Sequence, residues 1–192
     1  MATFGAFYDA NVLYPSGLRN LLMHLALAGI FSAHWSAEVH EEWMRSLLKN
    51  RPDLTREKLE RTRYLMDKAL PDALVEGYEH LIDSIELPDP KDRHVLAAAI
   101  HCGASVIVTL NLGDFPSHIL CEFGIEAQHP DDFVLALFDA FPALVLEAAG
   151  NHRASLKNPP KTQNEYLADL EQQGLGKTVT ALRSGDLDSM EY

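Results

Sequence analysis

Residues 87–116 read LPDPKDRHVLAAAIHCGASVIVTLNLGDFP. Val95, Leu96, Ala99 and Ile100 recur at helical spacing, Gly103 stops that helix, and Ala104 to Leu110 form a continuous β-branched run of the kind found inside a parallel sheet. Asp92 stands in the first turn of the helix, while Asn111 and Asp114 follow the strand. Ionised carboxylates avoid interiors unless they are paired or hold a metal. Taken alone, Asp92 also fits a helix N-terminal acid worth roughly 0.3–1 kcal/mol, and Asp114 a turn residue in Leu-Gly-Asp-Phe-Pro.

The flanking sequence repeats the alternation. FGAFYDA, residues 4–10, reads as a buried strand with Asp9 at its C-terminal end, and no basic residue precedes Arg19 to neutralise that acid. Leu18, Leu21, Leu22, Leu25 and Ala28 predict a helix ended by Gly29. Residues 30–35 read as a short strand, and Ser36 as the N-cap of a helix on which Val39, Trp43 and Leu47 share a face. A charged helix is expected over Thr55–Lys68, a short one near 71–82, a strand over 124–129, and helix over 132–149 with a break at Pro142. Strands alternating with helices predict an α/β fold with a central, mainly parallel sheet, in which ligands bind beyond the strand C-termini. SLKNPPKTQ reads as a linker, and Thr162-Gln-Asn-Glu165 as a capping box opening a further helix. The expected division is a domain over 1–140 and a helical extension over 141–192.

With 47% hydrophobic residues in 192, the chain can bury the core of one ordinary domain. MATFGAFYDANVLYP lacks the basic start of a secretory signal. The longest stretch without Asp, Glu, Lys or Arg, His94 to Gly113, is broken by His, Gly, Ser, Thr and Asn, so no membrane span is expected. Two cysteines, Cys102 and Cys121, fit a reduced, cytoplasmic setting. The net charge of −12 argues against a protein that coats nucleic acid with its whole surface. Its distribution is uneven: eight basic residues face four acidic ones between Arg45 and Lys68, against eight and 24 elsewhere. Charge runs are commonly solvated helix faces; this one is also a candidate polyanion-contacting face.

Parallel strands lie roughly 5 Å apart, so Asp9 and Asp114 can converge at neighbouring strand ends, with Asp92 on the helix that feeds one of them. Close acids raise one another's pKa unless a cation neutralises them. Oxygen ligands suit Mg²⁺ or Mn²⁺ rather than zinc, and the corresponding chemistry is phosphodiester hydrolysis.

YDANVLYP, the Glu-Glu-Trp helix after a short strand, LPDPKDRHVLAAAI and VIVTLNLGDFP, in that order, resemble the PIN-domain family, in particular VapC-like ribonuclease toxins of toxin–antitoxin pairs. The resemblance covers roughly residues 4–140. It implies a three-layer, Rossmann-like α/β/α fold and a Mg²⁺- or Mn²⁺-dependent endoribonuclease, often dimeric, held in check by a cognate antitoxin protein. It maps the catalytic and metal-binding acids onto Asp9, Glu42, Asp92 and Asp114, with Asn11, Thr109 and Asn111 in support. Many members carry an acid where this chain has Asn111, which leaves either that role to Asp114 or the fourth ligand weak. Glu41 competes with Glu42; Glu42 stands directly before inward-facing Trp43, and Glu41 points about 100° further round the helix. RNA is expected along Arg45, Lys49, Arg56, Arg61 and Arg63.

Rival readings have weaker footing. A haloacid-dehalogenase-type phosphatase would use Asp9 as nucleophile, but Asn11 stands where that family has an acid. A noncatalytic PIN-like interaction protein would have lost its site. His34, His40 and nearby glutamates fit no familiar zinc spacing. His94 and His101 share a helix face, where structural or surface roles are the commoner ones. GLGKT at 174–178 lacks the first glycine of a phosphate-binding loop, because Glu171 stands there, and Gly174 reads as a helix C-cap.

Overall fold

The computed structural model describes residues 4–185. They form two compact units, the first running to Tyr14 and resuming over Phe31–His129, the second comprising Pro15–Ile30 and the residues from Pro130 onward. By packing, the change from one unit to the other falls at His129–Pro130, and Pro15–Ile30 groups with the later helices.

The first unit is built on five strands: β1 (Gly5–Tyr8), β2 (Ser32–Ser36), β3 (Leu74–Val75), β4 (Val106–Val108) and β5 (Glu126–Gln128). All neighbours pair in parallel, in the order β3-β2-β1-β4-β5. Ala6, Phe7 and Tyr8 are each 0% exposed. Successive strand residues point to opposite faces, so β1 is covered on both sides, as in a three-layer α/β/α fold. The chain leaves β1 toward β2 and β3 and returns on its other side at β4, so the strand order reverses between β1 and β4. In open parallel sheets that reversal opens a crevice at the strand C-termini.

Its helices are α1 (Ala10–Leu13), α3 (Ala37–Asn50), α4 (Arg56–Ala69), α5 (Arg93–Cys102) and α6 (Ser117–Leu120), α2 belonging to the other unit. The Ser36 side chain accepts from the Val39 N–H and caps α3, and Thr55 does the same for α4. Gly103, in the left-handed region at φ 70°, ends α5 by returning its N–H to Ile100 and Ala99 carbonyls. Apolar α5 lies against β1, β2, β3 and β4. Trp43 on α3 is 1% exposed; deleting so large a buried side chain costs about 3–5 kcal/mol.

One expected element is different. Residues 71–82 do not form a short helix: Leu74–Val75 pairs with Trp35–Ser36 as edge strand β3, and a 3-10 helix covers Glu79–Ser84. The local pattern fits a helical turn, but the Trp35 N–H takes the Ala73 carbonyl across the gap and draws the segment into the sheet.

The second unit is helical: α2 (Ser16–Leu27), α7 (Pro130–Ala140), α8 (Pro142–Ser155), α9 (Gln163–Gln172) and α10 (Gly176–Ser184). Pro142 opens α8, where its missing N–H costs nothing. Thr162 and Glu165 form the reciprocal capping box of α9. Helix α2 packs on α8 and α9, and α7 on α8 and α10.

Candidate metal-binding active site

Asp9 directly follows β1 and is 7% exposed. Its Oδ1 accepts from the Ala10 N–H at 2.6 Å, capping α1. Its Oδ2 accepts from Thr109 Oγ1 and Asn11 Nδ2, both at 2.7 Å. Asn11 also donates to Thr109 Oγ1 at 2.9 Å and accepts from the Leu110 N–H at 3.0 Å. The ends of β1 and β4 are thus strapped together by Asn11 and Thr109, which fixes the Asp9 carboxylate at the reversal of strand order. Burial pushes the Asp9 carboxyl above the usual range, against the lowering effect of its Thr109 and Ala10 hydrogen bonds.

Asp92 occupies the position before α5, yet its side chain makes no capping hydrogen bond. Asp89 caps the preceding 3-10 turn instead, through the Lys91 N–H at 2.9 Å. Asp92 therefore does not cap α5 by a hydrogen bond, and what remains of its role at the helix start is the dipole alone. Burial, and then the charges of Asp114, Asp9, Asp89 and Glu42, push its carboxyl up to about 6. Asp114 lies in a 3-10 turn, Leu112–Asp114, beyond the end of β4, and accepts a hydrogen bond from Asn111 Nδ2. Asn111, which stands where an acid was expected, orients the acid three residues on.

The two adjacent glutamates on α3 part ways. Glu41 pairs with Arg56 at 2.6 Å and lies 3.7 Å from Arg63, so the Arg56 hydrogen bond holds its carboxyl below the usual range. Glu42 instead meets His94 Nε2 at 3.2 Å, and its charge reaches Asp9 and Asp92. His94 is 4% exposed; burial opposes its charged form, but the hydrogen bond to Glu42 and the charges of Glu42, Glu38 and Asp9 leave its pKa raised.

Like charges gathered around a half-buried carboxyl with a pKa near 6 are the condition a divalent cation relieves. The oxygen donors of Asp9, Glu42, Asp92 and Asp114 are of the kind that suits a hard ion such as Mg²⁺ or Mn²⁺, while among the described residues the three that bring ligand atoms within 4.8 Å of one another are Glu38, Glu42 and His94.

His94 and Glu38 are the neighbours of these acids that sequence reasoning does not place in the site. His94 is buried against α3 glutamates, whereas His101 is exposed and lies with its ring 6.0 Å from that of His80. The available signal was spacing: Glu38 sits four residues before Glu42, on the same helix face. The His34–His40 zinc grouping does not form, because His40 accepts from Trp43 Nε1 at 3.0 Å and lies 3.1 Å from Asp67.

Of the expected RNA-contacting residues, Arg45, Lys49 and Arg61 are exposed on α3 and α4. Arg56 and Arg63 are tied to Glu41, and further to Glu60 and Asp67 respectively. Surface pairs of this kind are worth about 0–1 kcal/mol and break readily for a phosphate.

The sequence matches the family described as PIN domain over residues 6–113 and the family described as VapC50 C-terminal domain over residues 130–184. It is 38% identical over 104 residues to "Putative ribonuclease VapC50" of Mycobacterium tuberculosis, an alignment covering 54% of this chain and 61% of that protein. The chain thus spans less than two thirds of the length of this relative. No solved structure matches. The PIN match takes in more than half of the chain, including Asp9, Glu42 and Asp92, and ends one residue before Asp114. With a five-stranded parallel sheet and acids gathered at its switch point, the chain belongs to the PIN domain family.

Proposed function

We propose that this chain is a divalent-metal-dependent endoribonuclease and the toxin of a toxin–antitoxin pair. One observation carries the reading: Thr109 and Asn11 fix the nearly buried Asp9 carboxylate at the end of β1, where the strand order reverses, and the charges of Asp9, Asp114 and Glu42 all reach Asp92. Family membership and the printed name of the relative support RNA as the substrate class.

Asp9, Glu42, Asp92 and Asp114 would hold the ion. Bound Mg²⁺ or Mn²⁺ would activate water and stabilise charge on the phosphate and the leaving oxygen, leaving a 5′-phosphate and a 3′-hydroxyl. The protein supplies position. Thr109 and Asn11 fix Asp9, Asn111 holds Asp114 by a hydrogen bond, and His94 restrains Glu42. Such supporting contacts to metal ligands are typically worth 10–100-fold in affinity or activity. Arg45, Lys49 and Arg61 lead the RNA backbone along α3 and α4, with Arg56 and Arg63 exchanging their carboxylate partners for phosphate. An antitoxin with an Arg-bearing tail would cover the same acids, in the cytoplasm, with the toxin alone or as a homodimer. Among the described residues no helix is long and apolar enough to cross a membrane.

The test is cleavage of RNA by purified wild type and Asp9→Asn, each with Mg²⁺, Mn²⁺ or a chelator. Cleavage by wild type alone, abolished by chelator, is the expected result; equal cleavage by both proteins refutes the site. Coexpression with the product of the neighbouring open reading frame checks the antitoxin, and no stable complex counts against it.

A further inference from the structure

We propose that Glu38, Glu42 and His94 form a mixed nitrogen–oxygen site that takes a first-row transition-metal dication, beside Asp9, Asp92 and Asp114 and sharing Glu42 with them. Glu38 and Glu42 lie one turn apart on α3, and His94 enters from the first turn of α5. One ligand atom from each lies within 4.8 Å of the others. Carboxylate oxygens and imidazole nitrogens bind such ions at about 2.0–2.2 Å, so ligand atoms of one ion stand up to about 4 Å apart. Glu38, 52% exposed at its side chain, can supply the remaining movement by changing rotamer.

The state of the imidazole points to a ligand independently of the acids. His94 is 4% exposed, and its buried Nδ1 has no hydrogen-bond partner. That nitrogen faces Glu38 Oε2 at 3.7 Å, too far for a hydrogen bond, while Nε2 is engaged with Glu42 at 3.2 Å. A buried polar nitrogen left unmatched is costly. A dication that takes the place of the imidazole proton is held by one ring nitrogen and by oxygens of both glutamates, whose ion pairs with His94 it replaces.

The donor set determines the kind of ion. Mg²⁺ prefers carboxylates and retained waters, whereas an imidazole with two carboxylates favours ions further along the Mn²⁺-to-Zn²⁺ series. The imidazole therefore gives this site a preference for such ions over Mg²⁺, although Glu42 is shared with the neighbouring acids.

Cobalt(II) is the probe. The full chain is titrated with Co²⁺ in millimolar Mg²⁺, following visible absorption and the paramagnetically shifted ring signals of His94. A saturable Co²⁺ site is expected that Mg²⁺ does not displace. Glu38→Gln and His94→Ala should each weaken it at least about tenfold, and Asp114→Asn should leave it within about threefold. Glu38→Gln changes an exposed side chain, so it stays informative if His94→Ala misfolds. The proposal is overturned if Co²⁺ binding is lost in Asp114→Asn but intact in Glu38→Gln, or if folded wild type binds no Co²⁺ and His94 serves only as an ion-pair partner. Because the readout is metal binding, a failure to cleave RNA leaves this result standing.

Discussion

Each unit of this protein buries one aspartate almost completely, and the two are used in opposite ways. Asp131, 6% exposed, accepts from the Lys177 N–H at 3.0 Å and the Thr178 N–H at 2.8 Å, so one carboxylate closes the start of α10. Asp9, 7% exposed, also has its oxygens occupied, but further acids crowd around it. Burial and hydrogen bonding do not separate a structural acid from a chemical one. The neighbours do: helix N–H groups complete Asp131, whereas carboxylates around Asp9 leave a demand for positive charge that the fold meets only in part, through His94. The GLGKT segment belongs to the same contrast, since its backbone amides are taken by Asp131 rather than offered to a phosphate.

The comparison breaks most sharply at Asp9. Asp9→Asn keeps the shape and the hydrogen bonds to Thr109 but removes the charge, and should reduce RNA cleavage by more than about 100-fold, beyond the usual effect of a supporting residue. Retained cleavage would place Asp9 with Asp131 as a structural acid. Thr109→Val tests the support beneath it. Mn²⁺ affinity should fall about 10–100-fold, measured by calorimetry, with the fold intact by circular dichroism.

Asp131→Ala should give the reverse outcome. Stripping the α10 amides of their acceptor should cost about 1–3 kcal/mol in urea unfolding, with Mn²⁺ affinity unchanged. Acid should also act on the two units with opposite sign. Asp92, raised from 3.8 to about 6, penalises the folded state once ionised, so in metal-free protein this destabilisation fades as pH falls from 6 to 4. His152, lowered from 6.5 to about 4 by burial and by the neighbouring His24, is neutral when folded. Its penalty grows as pH falls from 6.5 toward 4. Comparing wild type with Asp92→Asn and with His152→Phe across this range should show differences that widen toward pH 6 and toward pH 4, respectively. The smallest effect is expected at the rim: Arg61→Ala should lower the salt slope of RNA binding by about one ion, and an unchanged slope would remove α4 from the RNA path.

Much of the fold could be read along the chain because its signals are local. The α5–β4 pattern, the Ser36 cap, the Thr162–Glu165 capping box and the glycine that ends α5 are each decided within a few residues. The edge strand β3 was not legible: two residues cannot display an alternation, and only pairing with Trp35 and Ser36 makes them a strand. The assignment of Pro15–Ile30 to the later helices was equally hidden, because packing of α2 on α8 joins segments more than a hundred residues apart.

By itself, the sequence determined which residues carry charge in apolar surroundings, which segments alternate between strand and helix, and so the class of fold and the acids worth suspecting. The tertiary structure alone decided their company. It turned Glu41 toward arginines and Glu42 toward Asp92, brought His94 against α3, and completed Asp131 with amides from α10. The physical reason is that a side chain's identity is fixed by its own codon, whereas its electrostatic environment is a sum over neighbours that only the folded chain assembles.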